Sequence, residues 1–252
     1  MTPPEAPSAP SPRGGAASGP AEPDPRRPLG SVACVPADQP LASPAPGGPT
    51  ERIVVLGIGN VLWADEGFGV RCVEALQQRH AFADHVQLVD GGTQGLYLLP
   101  LVQGADRLLV LDAIDYGLPP GTLHVVENDE VPRFLGARKM SLHQTGFQEV
   151  LALAQLTGDW PAEVVLIGCQ PEELDDYGGS LRPCVRRALE DAVALAVRRL
   201  AGWGGQPRRR DTPPAAHEAV TAPELALPRY EADRPSAEAA CRIGDARVLA
   251  TG

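Results

Sequence analysis

Two carboxylic acids and one imidazole stand out as a set able to do metal chemistry: Glu66, Asp112 and His143. Carboxylate oxygen and imidazole nitrogen together suit a borderline divalent ion such as nickel or zinc. Three protein ligands leave a coordination position open for water or substrate, as catalytic sites do. Each residue also has a plainer explanation. An acid near a helix N-terminus, as Glu66 is, complements the helix dipole. Asp112 can cap the turn after a strand, and a lone His143 beside a helix start can face water. The three are far apart in sequence, so spacing alone does not choose.

A second acid-bearing stretch is Asp90-Gly91-Gly92-Thr93. The glycines fit a sharp turn, and Asp90 is either a turn former or an acid that faces a cleft and binds or polarises substrate. Gly57-Ile58-Gly59-Asn60 has two readings as well. A glycine-rich turn between strand and helix can cradle a phosphate, but GxGxxG needs glycine at 62, where Leu62 stands, and the P-loop lysine is missing. The steric reading is that Gly57 and Gly59 let the backbone turn and approach a neighbour. HExxH, GxSxG and the DTG or DSG triplet of aspartic proteases are all absent. Of the cysteines, Cys72, Cys169 and Cys184 read as small buried hydrophobes rather than nucleophiles. Trp63 is either a partner contact or a core anchor, and Glu172, Glu173, Asp175 and Asp176 read as a solvated acidic loop.

These residues must be held by alternating strands and helices. Apolar runs at residues 52–56, 86–89, 107–112, 123–126 and 164–168 predict five strands. Helical periodicity predicts an amphipathic helix from Val70 to His80, a short one over 96–102, one over 144–157 and a last one over 182–200. In the first, Arg71, Glu74, Gln77 and Gln78 lie between the apolar positions. The alternation predicts a three-layer α/β sandwich: a five-stranded, mainly parallel, twisted sheet with helices on both faces. In such sheets ligands bind beyond the carboxyl ends of the strands. Glu66 and Asp112 follow strands, and His143 joins them if its helix starts on the same rim.

The remaining composition bounds the function. Of 27 prolines, 14 fall in residues 1–50 and 6 in residues 205–252. Both ends are poor in large apolar side chains, so residues 1–50 and 205–252 are expected to be disordered around a domain of residues 51–204. That domain carries 12 Lys and Arg against 21 Asp and Glu, a net of −9, which argues against nonspecific nucleic-acid binding. No apolar stretch of ~18 residues predicts a membrane span. The five cysteines form no CxxC pair, so a reducing cytoplasm is expected.

Taken together, GIGNVLWADEGFGV (57–70), LVDGGTQG (88–95), VLDAIDYGLPPGTL (110–123), SLHQTG (141–146) and IGCQPEELDDYGGSLRP (167–183) resemble the hydrogenase maturation proteases. These endopeptidases finish the large subunit of nickel–iron hydrogenases. The five stretches occur in the family's order across residues 52–202, and the GCQP segment is similar to the branch serving uptake hydrogenases. The resemblance implies Glu66, Asp112 and His143 as metal ligands. It implies nickel as the metal, carried by the substrate precursor, with zinc or cadmium able to substitute in vitro. Removal of a C-terminal extension from the nickel-loaded large-subunit precursor is the implied reaction. Two versions of the hydrolysis stand open: the metal polarises the carbonyl or activates water, or Asp90 or Asp65 acts as general base. Gly91, Gly92 and Thr93 are expected to line the substrate path. A cytoplasmic monomer, without membrane insertion or nucleic acid, is expected. The alternative is a nickel-binding chaperone or checkpoint module that holds the same precursor without cutting it.

Overall fold

The computed structural model describes residues 51–132 and 142–234, the side chains of residues 142–145 excepted. Strand β1 (Ile53–Ile58) is buried at every position, as a strand covered on both faces must be. It lies between β3 (Val86–Gly92) and β4 (Arg107–Ala113), parallel to both. Strand β4 pairs in parallel with β6 (Glu163–Cys169), and β5 (Leu123–Glu127) adds antiparallel at the edge. The order β3-β1-β4-β6-β5 is the five-stranded, mainly parallel sheet expected.

Helices cover both faces. Helix α1 (Phe68–Arg79) and helix α4 (Pro183–Gly202) pack on one side with Ile53, Val55, Leu109, Leu111, Val165 and Ile167. Helix α2 (Leu99–Gln103) and helix α3 (Leu142–Thr157) lie on the other. There Val54, Leu56, Leu108, Val110, Val164 and Leu166 meet Val102, Phe147, Val150 and Leu151. Alternate strand residues therefore serve opposite layers. The chain leaves β1 through α1 on one face to reach β3, and leaves β3 through α2 on the other face to reach β4. The β1/β4 junction is thus the topological switch point, where the strand ends open into a crevice.

The segment 205–234 departs from expectation. Disorder was expected there, but it carries β7 (Arg208–Arg209), paired antiparallel with β2 (His80–Ala81), and helix α5 (Leu227–Asp233). The polar stripe of α1 is what holds it. Arg71 donates to the Leu225 carbonyl, and Glu74 accepts the Leu227 N–H at 2.8 Å. Gln77 accepts the Val220 N–H at 2.8 Å and donates to the Glu218 carbonyl at 2.7 Å. The polar stripe between the apolar positions of α1 is thus a docking edge that spares the segment a core of its own. Residues 1–50 and 235–252 lie outside the described residues. Among the described residues no helix is long and apolar enough to cross a membrane.

Candidate active site

The corner after β1 is built around Gly59. At φ 129° it sits where a Cβ would stand 1.8 Å from the Glu66 carbonyl oxygen, so only glycine lets the loop return so closely. The Asn60 side chain accepts the Leu62 N–H at 3.0 Å and tightens the turn. Ala64 follows at φ 40°, a left-handed conformation costing on the order of 1 kcal/mol for a residue with a Cβ. A 3-10 turn, Ala64–Gly67, then presents Asp65 and Glu66 before α1 begins.

The two acids of that turn part ways. Glu66 is half-buried. Asp65 is fully buried. One Asp65 oxygen accepts the backbone N–H groups of Glu172 and Glu173, both at 2.9 Å, and the other accepts that of Arg182 at 2.7 Å. Both oxygens are thus engaged in charge-assisted bonds. A general base must lie within reach of the reacting proton, and Asp65, with no exposed surface and three backbone bonds to hold it, is turned inward instead. The loop it binds is exposed at Glu172 and Asp175, as expected of a solvated acidic loop, but Asp176 is buried against Arg182 at 2.8 Å, and Gly178 donates to the Leu62 carbonyl at 2.7 Å. Trp63 is half-buried and meets Tyr177 edge-on at 5.3 Å.

Asp112 ends β4, 1% exposed. Val110 belongs to the layer of α2 and α3, and Asp112, two residues on, shares its face. Helix α3 reaches the same rim. A Cβ on Gly146 would lie 3.5 Å from Gly95 Cα, just past the end of β3. His143 opens that helix, but its side chain lies outside the described residues. Among the described residues no group of three His, Cys, Asp or Glu side chains could hold a metal ion. The structure therefore brings Glu66 and Asp112 to the two sides of the switch point and the His143 backbone to their rim.

Asp90 is at that rim but not on that face. It follows Leu88, which packs with the α1 layer, by two residues. Its surroundings agree: burial raises its carboxyl pKa, while the Gly92 N–H, the Thr221 hydroxyl and the Arg71 charge act the other way, and Glu74 raises it. All but Gly92 belong to α1 or the C-terminal segment. As a base for a bond cut beside Asp112, Asp90 would have to act from the far side of the sheet. Gly91 is buried, Gly92 has φ 45° and its carbonyl accepts the Gly59 N–H at 3.0 Å, and Thr93 is exposed on the rim.

One group near the site, Gln170, is not singled out by the sequence. Gln170, 6% exposed, accepts the N–H groups of Tyr116 at 2.7 Å and Leu118 at 3.1 Å, and donates to Asp115 at 3.0 Å. It fixes the turn that follows Asp112. The available cue was a lone amide between an apolar strand and Pro171. Two of the three cysteines follow expectation and Cys184 does not: Cys72 and Cys169 are buried in the core, and burial pushes the Cys169 thiol up to about 12. Half-buried Cys184 lies 2.8 Å from Glu172.

Comparison with known proteins supplies the family. The family model described as hydrogenase maturation protease matches residues 70–199. The chain is 68% identical to the hydrogenase expression/formation protein HoxM of Cupriavidus necator over 197 residues, 78% of this chain and 98% of that one. It is 42% identical to the hydrogenase 2 maturation protease of Escherichia coli over 160 residues, 62% of this chain and 96% of that one. The solved hydrogenase-maturating endopeptidase HybD of E. coli superposes with a TM-score of 0.60 at 39% identity, covering 63% of this chain and 98% of that one. With its α/β sheet and its acids at the switch point, the chain belongs to the hydrogenase maturation protease family, and its activity is that of an endopeptidase.

Proposed function

We propose that the protein removes the C-terminal extension of a nickel–iron hydrogenase large-subunit precursor after nickel has been inserted. Glu66, Asp112 and His143 take hold of the nickel in the precursor, which fixes the register of cleavage. Nickel is thus part of the substrate, and zinc or cadmium can stand in for it in vitro. The observation that carries this reading is the placement of Glu66 and Asp112 on the two sides of the β1/β4 switch point.

Of the two versions of the hydrolysis, the one in which the metal polarises the scissile carbonyl or activates water is favoured. Asp65 has both oxygens bonded to backbone N–H groups, and Asp90 lies on the opposite face of the sheet from Asp112. Gly91, Gly92 and Thr93 line the path of the peptide along the rim. The protein acts as a monomer in the cytoplasm, a setting in keeping with the free state of Cys72, Cys169 and Cys184. The test replaces Glu66, Asp112 and His143 singly, as Glu66→Gln, Asp112→Asn and His143→Ala, and follows processing of purified nickel-loaded precursor. Loss of processing in each is expected; normal processing by all three would remove the site assignment.

A further inference from the structure

Asp112 has Gly168 as its register partner on β6, and Gly168 in turn faces His124 on β5. Partners in register direct their side chains to one face, about 5 Å apart across the strands. Gly168 has no side chain to place there, and the space is taken. A Cβ on Gly168 would lie 1.7 Å from the Tyr116 hydroxyl oxygen and 2.7 Å from its Cζ. The Tyr116 phenol therefore occupies the side-chain slot immediately beside Asp112. It is 3% exposed and packs edge-on to His124 at 5.2 Å. Its backbone N–H is held by the Gln170 side chain at 2.7 Å. Gln170 directly follows the strand that supplies Gly168, so one short stretch both empties the slot and anchors the residue that fills it.

From this arrangement we infer that Tyr116 is a positioning residue for Asp112. The inference rests on the reading that Asp112 engages the nickel of the precursor. The phenol fills the buried slot on the β6 side of Asp112, its hydroxyl oxygen standing where a Gly168 side chain would begin. It thereby restricts the carboxylate to the orientation that meets the metal. Gly168 and Gln170 serve the same end by leaving room for the ring and by fixing its backbone.

The test uses the full chain and nickel-loaded precursor, with wild type, Tyr116→Phe and Gly168→Ala compared by steady-state kinetics and by melting. Removing a group that orients a metal ligand typically weakens metal engagement about 10- to 100-fold. Tyr116→Phe is therefore expected to raise KM for the precursor about tenfold at an unchanged melting temperature. Gly168→Ala, which displaces the ring, is expected to raise it at least as much. A packing role alone would lower the melting temperature and the active fraction and leave KM where it was. Wild-type KM in both variants, with wild type processing normally, overturns the role of Tyr116 and leaves the functional reading intact. Failure of the wild type to process the precursor overturns that reading and this inference with it.

Discussion

The carboxylate of Asp65 accepts the backbone N–H of Arg182 at 2.7 Å across 117 positions of sequence. That bond, with those to Glu172 and Glu173, ties the loop after β6 to the corner after β1. Glu66 is the next residue, so the clamp that fixes Asp65 also fixes the backbone from which Glu66 projects. The pair Asp65-Glu66 divides its labour: one acid is spent on structure and its neighbour is left half-open at the rim.

Asp65→Ala should be among the most damaging single changes. A buried N–H left without an acceptor costs about 1–3 kcal/mol, and three part-buried ones lose theirs, which sets the cost near the lower end for each. A loss of roughly 3 kcal/mol or more is expected in denaturant unfolding. Asp65→Asn keeps an acceptor oxygen and should lose less. Equal stability of Asp65→Ala and wild type would contradict the clamp.

Asp90 should make stability depend on pH in a definite direction. Burial, the foremost cause, raises its carboxyl pKa above the ordinary 3.8. The native state therefore holds this proton more tightly than the unfolded chain. The stabilisation is complete below the unfolded value and is lost as pH rises through the folded one. At neutral pH the ionised Asp90 opposes folding. Asp90→Asn is expected to melt higher than wild type at pH 7, with the difference shrinking as pH falls toward 3.8. Removing a general base costs about 10²- to 10⁴-fold in rate. A loss of that size in Asp90→Asn would restore Asp90 as the base.

Arg71 should anchor the C-terminal segment. Its side chain is 2% exposed, pairs with Glu74 at 2.8 Å, bonds the Leu225 carbonyl and lies over the Tyr230 ring. Breaking a buried ion pair by removing one partner costs about 3–5 kcal/mol. Arg71→Ala is expected to lose stability on that scale and to become susceptible to limited proteolysis within residues 206–234. Resistance equal to wild type would show that the segment is held otherwise.

The buried thiols should be inert. Burial, reinforced by the Asp65 and Cys184 charges, pushes the Cys169 thiol up to about 12, and burial raises Cys72 well above its ordinary value. Alkylation of the native protein at pH 8, read by peptide mass spectrometry, is expected to spare both until denaturant is added. Rapid labelling of either would contradict their place in the core.

The strands and the rim were legible in the sequence because buried parallel strands are continuous apolar runs and their ends carry the polar residues. Glu66 and Asp112 could be placed on that ground alone. The roles of Asp65, Asp90, Gln170 and Tyr116 were not legible, since they depend on which face a side chain takes and which distant backbone it meets. Asp65 acts on residues more than 100 positions away. Asp90 is turned from Asp112 by strand parity, which becomes informative only once the register is known. The C-terminal segment was misjudged because its composition lacks a core, whereas its order comes from Arg71, Glu74 and Gln77 on α1. The match to the family was carried by motifs rather than by any of these contacts.

The most direct test is the intact mass of purified large-subunit precursor, nickel-loaded and nickel-free, after incubation with this protein. The account predicts that nickel-loaded precursor loses a C-terminal fragment and that nickel-free precursor keeps its full mass. An unchanged mass for the nickel-loaded precursor, with the protein bound to it, would identify a holding module instead of a protease. Equal cleavage of both forms would contradict recognition through the metal.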